Sequence, residues 1–311
     1  MRPSARIQPL LNPAKDRPAN SLDRLSGSRF AYEYNRLERL ADPVDLSAYA
    51  QRTRALFAPV AKAFDDDLNT EWLLRSYLAL KLILHATIMG TSAQFSEDKN
   101  IQVSVPYLGY YMLHSACRAF LLTCPDMKWT GPSSAQFSHK RAIDEAVNIL
   151  KRLGPKVSED VAKGLHAAKA QRELFSYDFP MSGMRAAGAR LISLEDAVSL
   201  AGFFAEMAHL NTACLEGAVI KHQPNRAFAL IEDRAWALMD HELADGEIHF
   251  DDEDWAWLGR LYRSHSAPLA LTALVTEGMT EDFFGAWTAS DDNREDTYDP
   301  DDNWRLLLDL W

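Results

Sequence analysis

Residues 106–124, PYLGYYMLHSACRAFLLTC, decide the fold class. Leu, Met, Ala, Phe and Cys recur nearly all round a helical projection of this stretch. A helix without a continuous polar face belongs at the centre of a larger helical body. Pro106 suits the first helical turn, where its missing N–H breaks no bond. The polar residues are not scattered. Tyr107, Tyr111, His114 and Arg118 follow at spacings of four, three and four, so they share one face.

The flanking segments are helical too. A long helix is expected over 71–90, then a polar loop, SEDKN, at 96–100. The short piece IQVSV (101–105) reads as a strand or as the lead into the central helix. Ser138 is a good N-cap for HKRAIDEAVNILKRLG, which stops at Gly154. A further helix over 158–179 ends at Pro180, and Ser193 with Asp196 opens the next in capping-box spacing. Three more helical segments follow, at 226–243, 252–265 and 268–287. Strand signals are scarce and no repeat occurs, so the expected fold class is all-α.

The chain has 311 residues, 47% hydrophobic and 25% charged, enough to bury a large core. The longest apolar run, at 72–90, is interrupted by Arg75, Lys81 and His85, so it reads as a buried helix rather than a membrane span. The first 21 residues lack an apolar h-region and are broken by prolines, unlike a signal peptide. Cys117, Cys124 and Cys214 form no CxxC pair and read as small buried hydrophobes. A cytoplasmic protein with no membrane contact and no cofactor is expected. The net charge of -11 is uneven: residues 231–311 carry 21 acidic and 5 basic side chains. No broad basic face for nucleic acid is legible, although a local basic groove remains open.

Within 71–222, the order of helices and three motifs resembles the HEPN superfamily of helical bundles. The motifs are YYMLHSACRAFLL, FSHKRAI and QRELFSYDFP. The central helix is also similar to that of YaaC-like proteins. The resemblance implies an HEPN-like bundle with N- and C-terminal helical extensions. The expected divisions are a flexible arm over 1–28 and a helical extension over 29–70. The bundle follows over 71–222, then a C-terminal helical region over 223–287 and an acidic linker with a docking tail over 288–311.

HEPN proteins either cut RNA without metal, through an arginine and a following histidine with four to six residues between them, or act as binding and regulatory partners. The resemblance therefore implies a toxin–antitoxin or phage-defence setting, a homodimer, and RNA or a nucleotide as ligand. After Arg172, residues 173–179 contain no histidine. Strict matches at Arg234/His241 and Arg260/His265 lie outside the resembling segment, and chance alone supplies about two such pairs.

Arg172 falls in the stripe Val161, Leu165, Ala168, Phe175 and Phe179, where a charge must be paired, led to water or aimed into a cleft. The facet on the central helix reads either as a hydrogen-bonded core network or as an anion pocket. In the second reading Arg172, His114, Arg118 and Tyr177 are the catalytic candidates, and Tyr107, Tyr111, Arg118 and His139 bind nucleotide or RNA. The tail residues Trp304, Leu308 and Trp311 share a helical face and dock on the bundle or on a partner protein. No metal site is expected. The acidic run 291–302 has Asp296 where a calcium loop needs glycine, and Pro300 interrupts it. The acidic residues 251–254 favour the start of the helix that follows.

Overall fold

The computed structural model describes residues 21–29, 31–190, 192–226, 229–242, 245–264, 270–288 and 297–308. Twelve α-helices lie within them: α1 (Ser21–Ser26), α2 (Asn35–Leu40), α3 (Pro43–Lys62), α4 (Asp66–Asp98), α5 (Val105–Thr123) and α6 (His139–Leu150). They continue as α7 (Pro155–Glu173), α8 (Leu194–His222), α9 (Glu232–Met239), α10 (Asp252–Ser264), α11 (Leu271–Leu274) and α12 (Glu277–Gly285). The protein is all-α apart from one two-stranded antiparallel ribbon, β1 (Asp240–Glu242) and β2 (Ile248–Phe250).

The apolar segment at 106–124 is the central helix. α5 lies between α4 and α8, and α6 and α7 pack on its remaining side. Met112, Leu113, Ala116, Cys117, Ala119, Phe120 and Leu121 are all at most 1% exposed. α3 and α1 cover the outer side of α8. The three cysteines are buried and free, as their setting in apolar helices implied.

Side-chain caps fix several helix starts. Asp42 accepts from Val44 N at 2.8 Å, Asp65 from Leu68 N at 2.9 Å, and Ser138 from Arg141 N at 3.3 Å. The Ser193 hydroxyl accepts from Asp196 N and donates back to its carboxylate. Asp251 caps α10 through Asp254 N at 3.0 Å, so the acidic run at 251–254 does serve a helix start.

Buried charges do similar work inside. Glu206 on α8 accepts from Arg36 N and Leu37 N, where α2 begins. Arg75, at the opposite polarity, donates to Leu122 O and Cys124 O at the end of α5. Glu216 takes hydrogen bonds from Ser28 Oγ, Arg29 N and Ala270 N, tying both extensions to α8.

Several expected boundaries move. The long helix runs over 66–98 rather than 71–90, taking in Ser96 and Asp98 from the expected loop. Gly90 lies inside it at a tight contact: a Cβ there would come within 2.6 Å of Leu306 and 2.8 Å of Met112. The expected arm over 1–28 is helical from residue 21, with Leu22 buried; its first 20 residues lie outside the described residues. Residues 101–104 form a turn that leads into α5, not a strand. The expected helix over 226–243 ends at Met239 and gives way to β1.

Among the described residues the tail is not an α-helix. Beyond a short 3₁₀ turn (Pro300–Asn303) the chain bends, and Leu306, Leu307 and Leu308 are buried in the body of the protein. Arg36 donates to the carbonyls of Leu306 and Leu307, and the Tyr298 hydroxyl meets Thr91 Oγ1 at 2.7 Å on α4. Trp304 is half-buried against the same core. Leu308 is therefore spent within this chain and is not free for a partner. Trp311 lies outside the described residues. α4 alone among the described helices is long and apolar enough to cross a membrane, and most of its apolar window is buried inside the fold.

Candidate functional site

α5 begins with an N-terminal half whose polar face looks towards α6 and α7. Tyr107 and Tyr111 stand one helical turn apart with ring centroids at 4.7 Å. Tyr107 is 46% exposed, whereas His114, about two turns further in, is buried. The facet is thus a ramp from solvent into the core.

α7 brings Arg172 to this ramp. The seam residues Val161, Leu165 and Ala168 are buried as expected, but the next buried position is Gln171, whose side chain accepts from Ile192 N at 3.2 Å. Arg172, one residue round, leaves the seam for its edge. Its Nη2 donates to the Tyr111 hydroxyl at 3.0 Å and its Nη1 to the Tyr177 hydroxyl at 3.1 Å. The guanidinium carbon lies 5.2, 5.6 and 6.0 Å from the ring centroids of Tyr177, Tyr111 and Tyr110. Among the described residues no carboxylate pairs with it; neighbouring Glu173 is held by Lys169 at 2.6 Å.

A local irregularity makes the Arg172–Tyr177 contact possible. In an α-helix, positions five apart point about 140° away from each other. Here the last turn of α7 widens into a π turn (Leu174–Asp178), closed by Phe179 N donating to Leu174 O at 2.9 Å. Phe179 then adopts φ 38, the left-handed region, and the chain leaves the helix. The expected apolar stripe therefore does not reach its end: Phe175 is half-buried and Phe179 is exposed. Tyr177 is 72% exposed and roofs the arginine.

α6 supplies His139 on its first turn, directly after the Ser138 cap. The imidazole Nδ1 is 2.8 Å from the Tyr110 hydroxyl, and its ring centroid is 4.4 Å from that of His114. Burial, reinforced by His139, Arg118 and His85, pushes His114 down to about 3. Burial and the Arg172 and Lys169 cations lower His139, against the opposing pull of Glu173. Both imidazoles are neutral near neutral pH. Tyr110, raised by burial, keeps its proton, and its hydroxyl shares a hydrogen bond with Nδ1 whose direction follows the His139 tautomer. Two buried polar atoms of the cluster have no hydrogen-bond partner: His114 Nε2 and Arg172 Nε.

The fold thus brings together Tyr107, Tyr111, His114, His139, Arg172 and Tyr177 from three helices. Arg118, expected to clamp a phosphate, donates from Nε to Ala135 O at 2.9 Å in the loop before α6, while its charge bears on both His114 and His139. Tyr110 is the residue that sequence reasoning missed. Its spacing of three from Tyr107 and four from His114 is the signal that could have found it.

The other sequence candidates resolve into structure. Arg234 pairs with Asp67 at 2.8 Å, and His241 stands 3.8 Å from Asp251. His265 lies outside the described residues. His241, Asp251 and Asp254 are close enough to share an ion. Yet Asp254 already accepts from the Tyr77 hydroxyl at 2.8 Å and pairs with Lys81, which fastens α10 to α4.

Chemically, the surface between α5, α6 and α7 offers a guanidinium with no carboxylate partner among the described residues, phenol hydroxyls and exposed aromatic faces, beside the His139 imidazole and above the buried one of His114. That set suits a phosphate with a planar group attached. No protein-family model matches the chain, and neither a curated protein nor a solved structure does.

Proposed function

We propose that this chain is a HEPN-like binding or regulatory module, of the kind found in bacterial toxin–antitoxin or phage-defence systems. In this reading it acts in the cytoplasm, as a homodimer, and holds a nucleotide or an RNA phosphate between α5, α6 and α7. The observation that carries it is Arg172: a guanidinium oriented by two tyrosine hydroxyls, with no carboxylate to neutralise it among the described residues. Arg36 and Arg118 are used up on backbone carbonyls inside the fold, whereas Arg172 is held at the edge of the bundle by two side-chain hydroxyls. This one is held in a fixed orientation and keeps its charge for something that arrives from outside. Tyr107 and Tyr177 flank it with exposed rings on which a base can stack.

One observation favours a second reading, a metal-independent ribonuclease. His139, on a different helix from Arg172, is a neutral imidazole at the same surface, and its basicity is set partly by Arg172. A neutral imidazole can take a proton from a ribose hydroxyl while arginine steadies the phosphorane. A third reading, a scaffold that recruits partners through its tail, loses support because Leu306, Leu307 and Leu308 are buried within the chain.

The deciding experiment combines binding and cleavage of single-stranded RNA by the full chain and by Arg172→Ala. The binding reading expects retention of intact RNA by the wild type and at least about tenfold weaker binding by the variant. Cleavage that Arg172→Ala abolishes without unfolding would replace it with the ribonuclease reading. Wild-type protein that neither binds nor cuts RNA or nucleotide would sink both.

A further inference from the structure

We propose that the site is proton-linked: a phosphodiester strand that binds against Arg172 draws one proton from solvent onto His139, the outer of the paired imidazoles of His139 and His114. The inference rests on the anion-binding reading of this surface and adds how the site is regulated.

The geometry supplies the argument. His139 and His114 are 4.4 Å apart ring to ring, so charge on one disfavours charge on the other, and the deeper burial of His114 leaves His139 as the ring that takes the proton. The groups that face His139 can be named from each packed element. α7 presents Lys169, Arg172 and Glu173; α5 presents Tyr110, Tyr111, His114 and Arg118. His114 faces Arg118 on its own helix, His85 on α4 and His139 on α6. The uncompensated charge around the pair is therefore positive, since Glu173 is engaged by Lys169. That excess, added to burial, is what keeps the imidazoles neutral in the free protein.

A phosphate against Arg172 reverses the balance. It cancels the cation nearest His139 and adds a negative charge that favours imidazolium. The hydrogen bonds can follow. An imidazolium carries a hydrogen on both ring nitrogens, so protonated His139 donates from Nδ1 to the Tyr110 hydroxyl, which accepts. The buried His114 Nε2, which lacks a partner, gives the pair a second atom at which a water can be held. By linkage, an anion that raises proton affinity must itself bind more tightly when the proton is present, by the same factor.

The test is calorimetry of the full chain with 2′-O-methyl hexauridylate, a strand without a nucleophilic 2′-hydroxyl. Its phosphodiesters and bases do not titrate in the range used, so protons taken up belong to the protein. Binding should tighten by about tenfold between about pH 8 and about pH 5.5. Titrations in two buffers of different ionisation enthalpy should report uptake of up to about one proton. His139→Gln should abolish the uptake and flatten the pH dependence. Wild-type binding without proton uptake would overturn the inference and leave the anion site standing. Uptake that persists in His139→Gln would overturn the assignment to His139. Absence of binding at every pH would overturn the inference together with the reading beneath it.

Discussion

Arg172 shows how much one side chain's function depends on what it touches. Its hydrogen bonds to Tyr111 and Tyr177 need a planar fork, so Arg172→Lys keeps the charge but cannot reach both phenols. We expect Arg172→Lys to bind a single-stranded oligonucleotide about tenfold more weakly than wild type, with an unchanged melting temperature. Wild-type affinity in that variant would mean that charge alone matters. His209 makes a different point. It is completely buried on α8 against Tyr32 and Tyr34, neither ring nitrogen has a hydrogen-bond partner, and burial holds it down to about 3. A histidine depressed in the folded state costs stability progressively as pH falls below its unfolded pKa. Its contribution is intact above about pH 6.5 and shrinks as pH falls towards 3. At about pH 5 the loss is about 2 kcal/mol by linkage. His209→Leu should therefore be close to neutral at pH near 7.5 and should flatten acid destabilisation in denaturant titrations. An equally steep acid limb in the variant would assign that sensitivity elsewhere.

At the scale of elements, sequence signals located the helices better than their ends. Ser138, Ser193 and the acidic residues before α10 were legible because a cap acts through backbone atoms two or three residues away. The close approach at Gly90 was not, because the side chain it admits is Leu306, more than two hundred residues away. The π turn after α7 was also hidden. Nothing in LFSYD announces an extra residue per turn, yet that turn is what aligns Tyr177 with Arg172. Gly217 on α8 is another such position: a Cβ there would sit 2.0 Å from the Ser26 carbonyl oxygen, a backbone atom that cannot swing aside. Gly217→Ala should cost about 1–3 kcal/mol and loosen α1, seen as a lower melting temperature and faster proteolysis near Gly27. Proteolysis and melting like those of wild type would show that α1 is not held by this approach.

For the whole molecule, the two ends of the chain meet on the central helices. Arg36 from the N-terminal extension donates to Leu306 and Leu307, and its side chain crosses α8 at Gly202. The tail is thus part of the core, although it follows an acidic segment that reads as a linker. Leu307 is fully buried only a few residues from the end of the chain. Leu307→Ala should destabilise the protein by about 2–5 kcal/mol in chemical denaturation, a core cost at a position that sequence assigns to a docking tail. A change below about 0.5 kcal/mol would restore the idea of a loosely attached segment. The all-α class, the central place of residues 106–124, the caps and the polar face of α5 were determined by the sequence alone. They follow from helical periodicity and from hydrogen bonds that span a few residues. Tertiary structure alone decided that Arg172 meets tyrosines instead of a carboxylate and that His139 joins His114. It also decided that Arg118 serves a loop and that the tail is buried. Each of those depends on which distant surfaces pack together, and side chains far apart in sequence compete for the same partner only once the chain has folded.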